Sequence, residues 1–113
     1  MSAPLTEEEF SQHLNTKFQV QIDDQQEVDL ELTSVKEYFP RESEQAGMER
    51  FSVFFAGPPN NYLPQRAYRF KHDQMGEFDI FLVPISGDAN GFHYEAVFNY
   101  FKNKSEPPVV AGG

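Results

Sequence analysis

From Phe18 onward the chain alternates. Phe18, Val20 and Ile22 are apolar, with Gln19 and Gln21 between them. A period of two puts one set of side chains on each face of an extended strand, so this run predicts a half-buried β-strand. Asp23-Asp24-Gln25-Gln26 is a polar turn. Val28, Leu30 and Leu32 then alternate with Asp29, Glu31 and Thr33. Two such strands about a short turn predict a hairpin. Val35 falls out of phase, which predicts a bulge near Ser34. The acidic outer face of Val28–Leu32 would suit a sheet edge, where charge discourages pairing with other chains.

A third strand is predicted over Met48–Ala56, with Phe51, Val53 and Phe55 on one face and Phe54 on the other. Alternation resumes at Arg66. If Lys71 pairs with Glu77 across the turn His72–Gly76, then Arg69 faces Asp79, Phe70 faces Phe78 and Tyr68 faces Ile80. Opposite charges then meet on one face and apolar groups on the other, each pair contributing about 0.2–1 kcal/mol. A slip of one residue would destroy both patterns at once. Ile80–Ile85 is continuously apolar and reads as a strand covered on both faces, with Pro84 near its end. Ser86–Gly91 reads as a turn-rich connection, and Phe92–Asn99 alternates as a last strand.

The segments outside this alternation read differently. Leu5-Thr6-Glu7-Glu8-Glu9-Phe10 has the form of a helix start. Thr6 is placed to cap, Glu9 to complete a capping box, and Leu5 and Phe10 to form a hydrophobic staple. The helix is expected over 6–14, ended by Asn15. Pro40–Gly47 reads as a solvated acidic loop, and 102–113 as a disordered tail. One domain over 1–101 is expected: mostly β, about six antiparallel strands in a small barrel or sandwich, plus the short N-terminal α-helix.

Composition sharpens this picture. Twelve Phe and five Tyr, with no Trp, make the expected core aromatic. There is no cysteine, which excludes disulfides, thiolate metal sites and cysteine nucleophiles and favours a cytoplasmic location. Nothing in the opening residues resembles a signal peptide, and no run reaches the apolar length of a membrane helix. The net charge of −9, with scattered basic residues, argues against nucleic acid and anionic membranes as partners. A monomer is expected over a homodimer.

Candidate chemistry is sparse. The three histidines, His13, His72 and His93, show no metal-ligand spacing. His93 and Glu95 share a strand face and form the best candidate acid–base pair, against the plainer reading of a solvated pair. Asp88-Ala89-Asn90-Gly91 has only a fragment of a calcium loop and reads as a turn. No serine sits in a nucleophile elbow, and no glycine cluster has the form of a phosphate loop. No catalytic, cofactor or metal residue is therefore assigned.

The segment AGPPNNYLPQRAYRF, Ala56–Phe70, is the most distinctive stretch. Its prolines exclude a helix interior or central strand. One reading is a fixed corner that plugs a barrel end with Tyr62 and Leu63. The other is a partner-binding rim exposing Asn60, Asn61, Tyr62 and Arg66. Arg66 and Arg69 beside Tyr62 and Tyr68 would also suit a small anion or aromatic patch, although the hairpin register commits Arg69 to Asp79.

From Phe51 to Asn99 the chain resembles a family of short bacterial proteins of unknown function. The resemblance rests on Phe55–Pro58, Leu63–Gln65, Tyr68–Phe70 with His72, Gly76–Pro84 and Tyr94–Asn99, and the N-terminal helix followed by an alternating strand, Phe10–Val20, also fits the family's opening. It implies a shared fold and a bacterial source but carries over no catalytic residue. Relatives beside phage-tail-like collar proteins would imply an accessory or assembly role. Three functions are thus expected in order: a non-catalytic protein-binding or assembly module, a small-ligand-binding barrel with an aromatic-lined cavity, and an enzyme using His93 and Glu95.

Overall fold

A computed structural model describes residues 5–101; the expected tail, 102–113, lies outside them. In chain order the elements are α1 (Glu7–Ser11), β1 (Lys17–Asp23), β2 (Gln26–Glu37), α2 (Pro40–Ala46), β3 (Met48–Gly57), β4 (Arg66–His72), β5 (Gly76–Asp88) and β6 (Gly91–Phe101). The six strands are antiparallel and close into one ring in the order β1-β2-β3-β6-β5-β4. The choice between barrel and sandwich is thereby settled as a closed barrel. Closure is made by β1 against β4, with Val20 opposite Phe70. A ring has no edge, so β2 is not the edge strand its acidic face suggested: it lies between β1 and β3.

Alternation decides what lies inside. Phe18, Leu30, Phe55, Phe70 and Leu82 are wholly buried. Each such side chain contributes about 1.5–3 kcal/mol by leaving water. The β4–β5 register is the expected one throughout, including Arg69 opposite Asp79 and Phe70 opposite Phe78. The phase break in β2 is a bulge: Leu32 pairs with Phe55, but Ser34 pairs with Phe54. Thr33 is the extra residue, and its hydroxyl donates to the Phe54 carbonyl at 3.1 Å. This returns Val35 to the inner face, opposite Val53.

Three further expectations about the strands and loops need correction. Pro40–Gly47 is not a loop, because α2 occupies Pro40–Ala46. Proline is well suited to a first helical turn, Glu, Gln and Ala favour helix, and Gly47 ends it at a φ of 69°. Ile80–Ile85 is not covered on both faces: Phe81 and Ile85 are 54% and 48% exposed. An antiparallel barrel buries only its inner face, and among the described residues no second layer covers these two side chains. Ser86–Gly91 is mostly strand, because a second bulge between Pro84 and Ser86 carries β5 on to Asp88. Proline brings no ladder donor to that bulge.

The N-terminal segment closes one end. Thr6 caps α1 by accepting from the Glu9 N–H at 3.0 Å. The helix is shorter than the expected 6–14, and residues 12–15 form turns. Asn15 ends them at a φ of 67°, a left-handed conformation that asparagine tolerates. Its N–H donates to Leu32 O, and Leu32 N–H donates back to Thr16 O. This anchorage inserts Phe10 into the barrel, where its ring lies 5.5–6.2 Å from those of Phe18, Phe51, Phe78 and Phe98.

Candidate functional site

The opposite end of the barrel carries the β3–β4 connection, residues 58–65. It is held from below by tyrosines. The buried Tyr94 hydroxyl accepts from the Leu63 N–H at 3.1 Å and donates to Asn61 O at 3.3 Å. The Tyr68 hydroxyl donates to Pro64 O at 2.6 Å. Burial raises both phenols above the ordinary tyrosine value, with nearby Arg66 pulling Tyr68 back and the Leu63 N–H pulling Tyr94 back. Both therefore remain protonated and able to donate at neutral pH.

The glycines at this end permit close approach. Gly91 has a φ of 148°, and a β-carbon there would collide with the Gly57 carbonyl oxygen. At Gly57 a β-carbon would lie 2.6 Å from Leu30 Cδ2. The tight β5–β6 turn is completed by Asp88, whose carboxylate accepts from the Asn90 N–H at 2.8 Å. That is the turn role expected for Asp88–Gly91.

The predicted rim residues divide. Asn60 and Tyr62 are exposed, Asn61 is half-buried and its carbonyl is bonded to Tyr94. Leu63 plugs the barrel at 1% exposure, whereas Tyr62, expected to share that task, is 56% exposed. Strand-like alternation at the loop's end explains the difference, since adjacent side chains point opposite ways. Tyr62 is braced edge-on by Phe92, with ring centroids 5.1 Å apart. Arg66 is exposed but engaged: it donates to Ile22 O at 2.8 Å and lies 4.6 Å from the Tyr68 ring. Arg69 is drawn into ion pairs with Asp79 and Glu77 at 2.9 and 3.3 Å, away from any patch with Arg66.

The other candidates also have definite positions. His93 and Glu95 point outward from β6 but are not joined by a hydrogen bond. Glu95 instead accepts from the Ser52 hydroxyl at 2.6 Å and from the Tyr38 hydroxyl at 3.4 Å. Within the barrel, Phe18, Phe55, Phe70 and Phe78 pack with centroids 5.3–6.4 Å apart. Among the described residues, no three His, Cys, Asp or Glu side chains converge in a way that could hold a metal. Nor is any helix among them long and apolar enough to cross a membrane.

One constellation was missed by sequence reasoning. His13 and His72 pack with ring centroids 4.6 Å apart. Glu9, expected to turn back to Thr6, lies 3.4 Å from His13 Nε2. The Glu9–His13 spacing of four was readable in the chain, but the approach of His72 depends on β1 pairing with β4.

No curated protein and no solved structure matches the chain. A family model does, over residues 5–98, from α1 through the core of β6. That span takes in both the Phe51–Asn99 run and the N-terminal segment Phe10–Val20, and the chain belongs to the family described as domain of unknown function DUF6916.

Proposed function

We propose that this domain is a non-catalytic protein-binding or assembly module that presents the 58–66 loop to a protein partner. The observation that carries this reading is the contrast between neighbours. Tyr62 is 56% exposed on its Phe92 brace, while Leu63 beside it is 1% exposed and tied to Tyr94. An aromatic side chain held rigidly at a surface loses little entropy on binding, and tyrosine is enriched among residues that dominate interfaces. The resemblance to bacterial relatives makes an accessory role in a phage-tail-like assembly the first form of this reading to test. A cytoplasmic location and a monomeric state belong to the same proposal.

The test is capture of tagged protein from bacterial lysate, comparing wild type with Asn60→Ala/Tyr62→Ala. Arg66 is left intact because it supports β1 and Tyr68. A stoichiometric partner bound by wild type and lost from the double variant, with thermal stability retained, is the expected result. A partner retained by the double variant would remove the loop from the interface.

A further inference from the structure

At the helix-plugged end, the His13–His72 contact has a hydrogen-bond pattern that admits one charge state. His72 Nδ1 accepts two backbone N–H groups, from Gln74 at 3.1 Å and Met75 at 3.3 Å. That nitrogen therefore carries no hydrogen. The ring hydrogen lies on Nε2, 3.0 Å from Thr16 Oγ1, and Thr16 in turn donates to His13 O at 2.6 Å. The chain of donors runs in one direction from the β4–β5 turn to the N-terminal segment. His13 is 8% exposed, and the Phe18 ring packs on His72 with centroids 4.3 Å apart.

We propose that the His13–His72 pair is an acid-sensitive latch: neutral His72 holds the segment from α1 to Thr16 over the barrel end, and its protonation releases that segment. A proton added to His72 must go to Nδ1, where it meets two N–H donors. It breaks both hydrogen bonds within the β4–β5 turn, leaves the Nε2–H bond to Thr16 in place, and sets a positive charge against His13 of the N-terminal segment. The surroundings offer only partial compensation. Asp73 in the β4–β5 turn and Glu9 on α1 favour the charge; burial and, after it, His13 disfavour it and prevail, holding His72 below the ordinary imidazole value. From β1 the pair meets the apolar ring of Phe18, and Lys71, next to His72 in β4, turns outward to Glu27 at 3.5 Å. The sign follows. Above the ordinary value of 6.5 His72 is neutral in both the folded and the released states and the latch is closed. As pH falls through 6.5 the released state takes up a proton that the closed state resists, and closure weakens until the lower folded value is reached.

The experiment is amide exchange on the full chain, corrected for intrinsic rates, at about pH 7.5 and about pH 5.5, alongside an NMR titration of the imidazoles. The expected result is a loss of protection at Phe10, Gln12, His13 and Asn15, while the β3–β6 ladder keeps its protection. The loss should be at most about tenfold for each unit by which His72 titrates below 6.5, because the turn bonds to Nδ1 oppose the proton in the released state as well. His72→Gln should remove the pH dependence. An unchanged pH dependence in that variant, or equal loss of protection across β3–β6, overturns the latch. Should the variant fail to fold, titration of His72 in the native chain decides: a midpoint at or above 6.5 overturns the proposal.

Discussion

The Leu63 backbone N–H donates to the Tyr94 hydroxyl at 3.1 Å, so a side chain rising from β6 holds the plug of the β3–β4 loop. The same hydroxyl donates to Asn61 O. Tyr94→Phe keeps the ring and removes both bonds. A buried N–H left without a partner costs about 1–3 kcal/mol. Urea unfolding should show that loss, and limited proteolysis should cut within 58–65 sooner. A stability equal to wild type would mean that the loop is held by Leu63 burial alone.

The two turns that flank β5 separate two uses of glycine. Gly76 has a φ of 85° with nothing within 4 Å of a β-carbon, whereas Gly91 combines positive φ with the Gly57 carbonyl in the way. Gly76→Ala should cost about 1–2 kcal/mol, from backbone conformation alone. Gly91→Ala should cost more, because overpacking adds about 1–3 kcal/mol to the same kind of strain. Denaturant midpoints for the pair check the order. Equal costs would mean that the β5–β6 turn shifts freely away from Gly57.

Much of this fold was legible where two independent patterns agreed. The β4–β5 register was readable because charge pairing of Arg69 with Asp79 and apolar pairing of Phe70 with Phe78 select the same alignment. The bulge at Thr33 was readable because Val35 broke phase. α2 was hidden by Pro40, which marks a loop as readily as a first helical turn. Phe81 and Ile85 misled because a continuous apolar run does not say whether a second layer covers it. At the candidate rim, proline spacing identified the loop, but which of Tyr62 and Leu63 turns inward depends on where Tyr94 stands beneath them. The His13–His72 contact required ring closure between β1 and β4, which no local pattern encodes.

Phe10 tests whether α1 belongs to the core or only lies on it. Its ring is wholly buried among four others, although it comes from outside the barrel. Phe10→Ala should cost about 3–5 kcal/mol, as for any core phenylalanine. Val97→Ala, on the outer face and 63% exposed, should stay within about 0.5 kcal/mol. Chemical denaturation of both variants makes the comparison. A small loss at Phe10 would show the six strands to be stable without their helical plug.

Alkaline titration reads the tyrosines directly. Tyr68 and Tyr94 are raised above 10.0 by burial, and both anchor the 58–65 loop. Below the unfolded value of 10.0 these phenols are neutral in both states and contribute no pH dependence. Above it the unfolded chain ionises while the folded chain resists, so stability falls as pH rises through 10. Ionisation also removes the hydrogen that each hydroxyl donates, to Pro64 O and to Asn61 O. The tyrosinate absorbance of Tyr68 and Tyr94 should therefore appear late, above pH 10, and coincide with loss of near-ultraviolet circular dichroism. Tyr68→Phe and Tyr94→Phe should each shrink that late rise. Absence of a late rise from the native protein would mean that both hydroxyls reach water and that the loop they anchor opens freely.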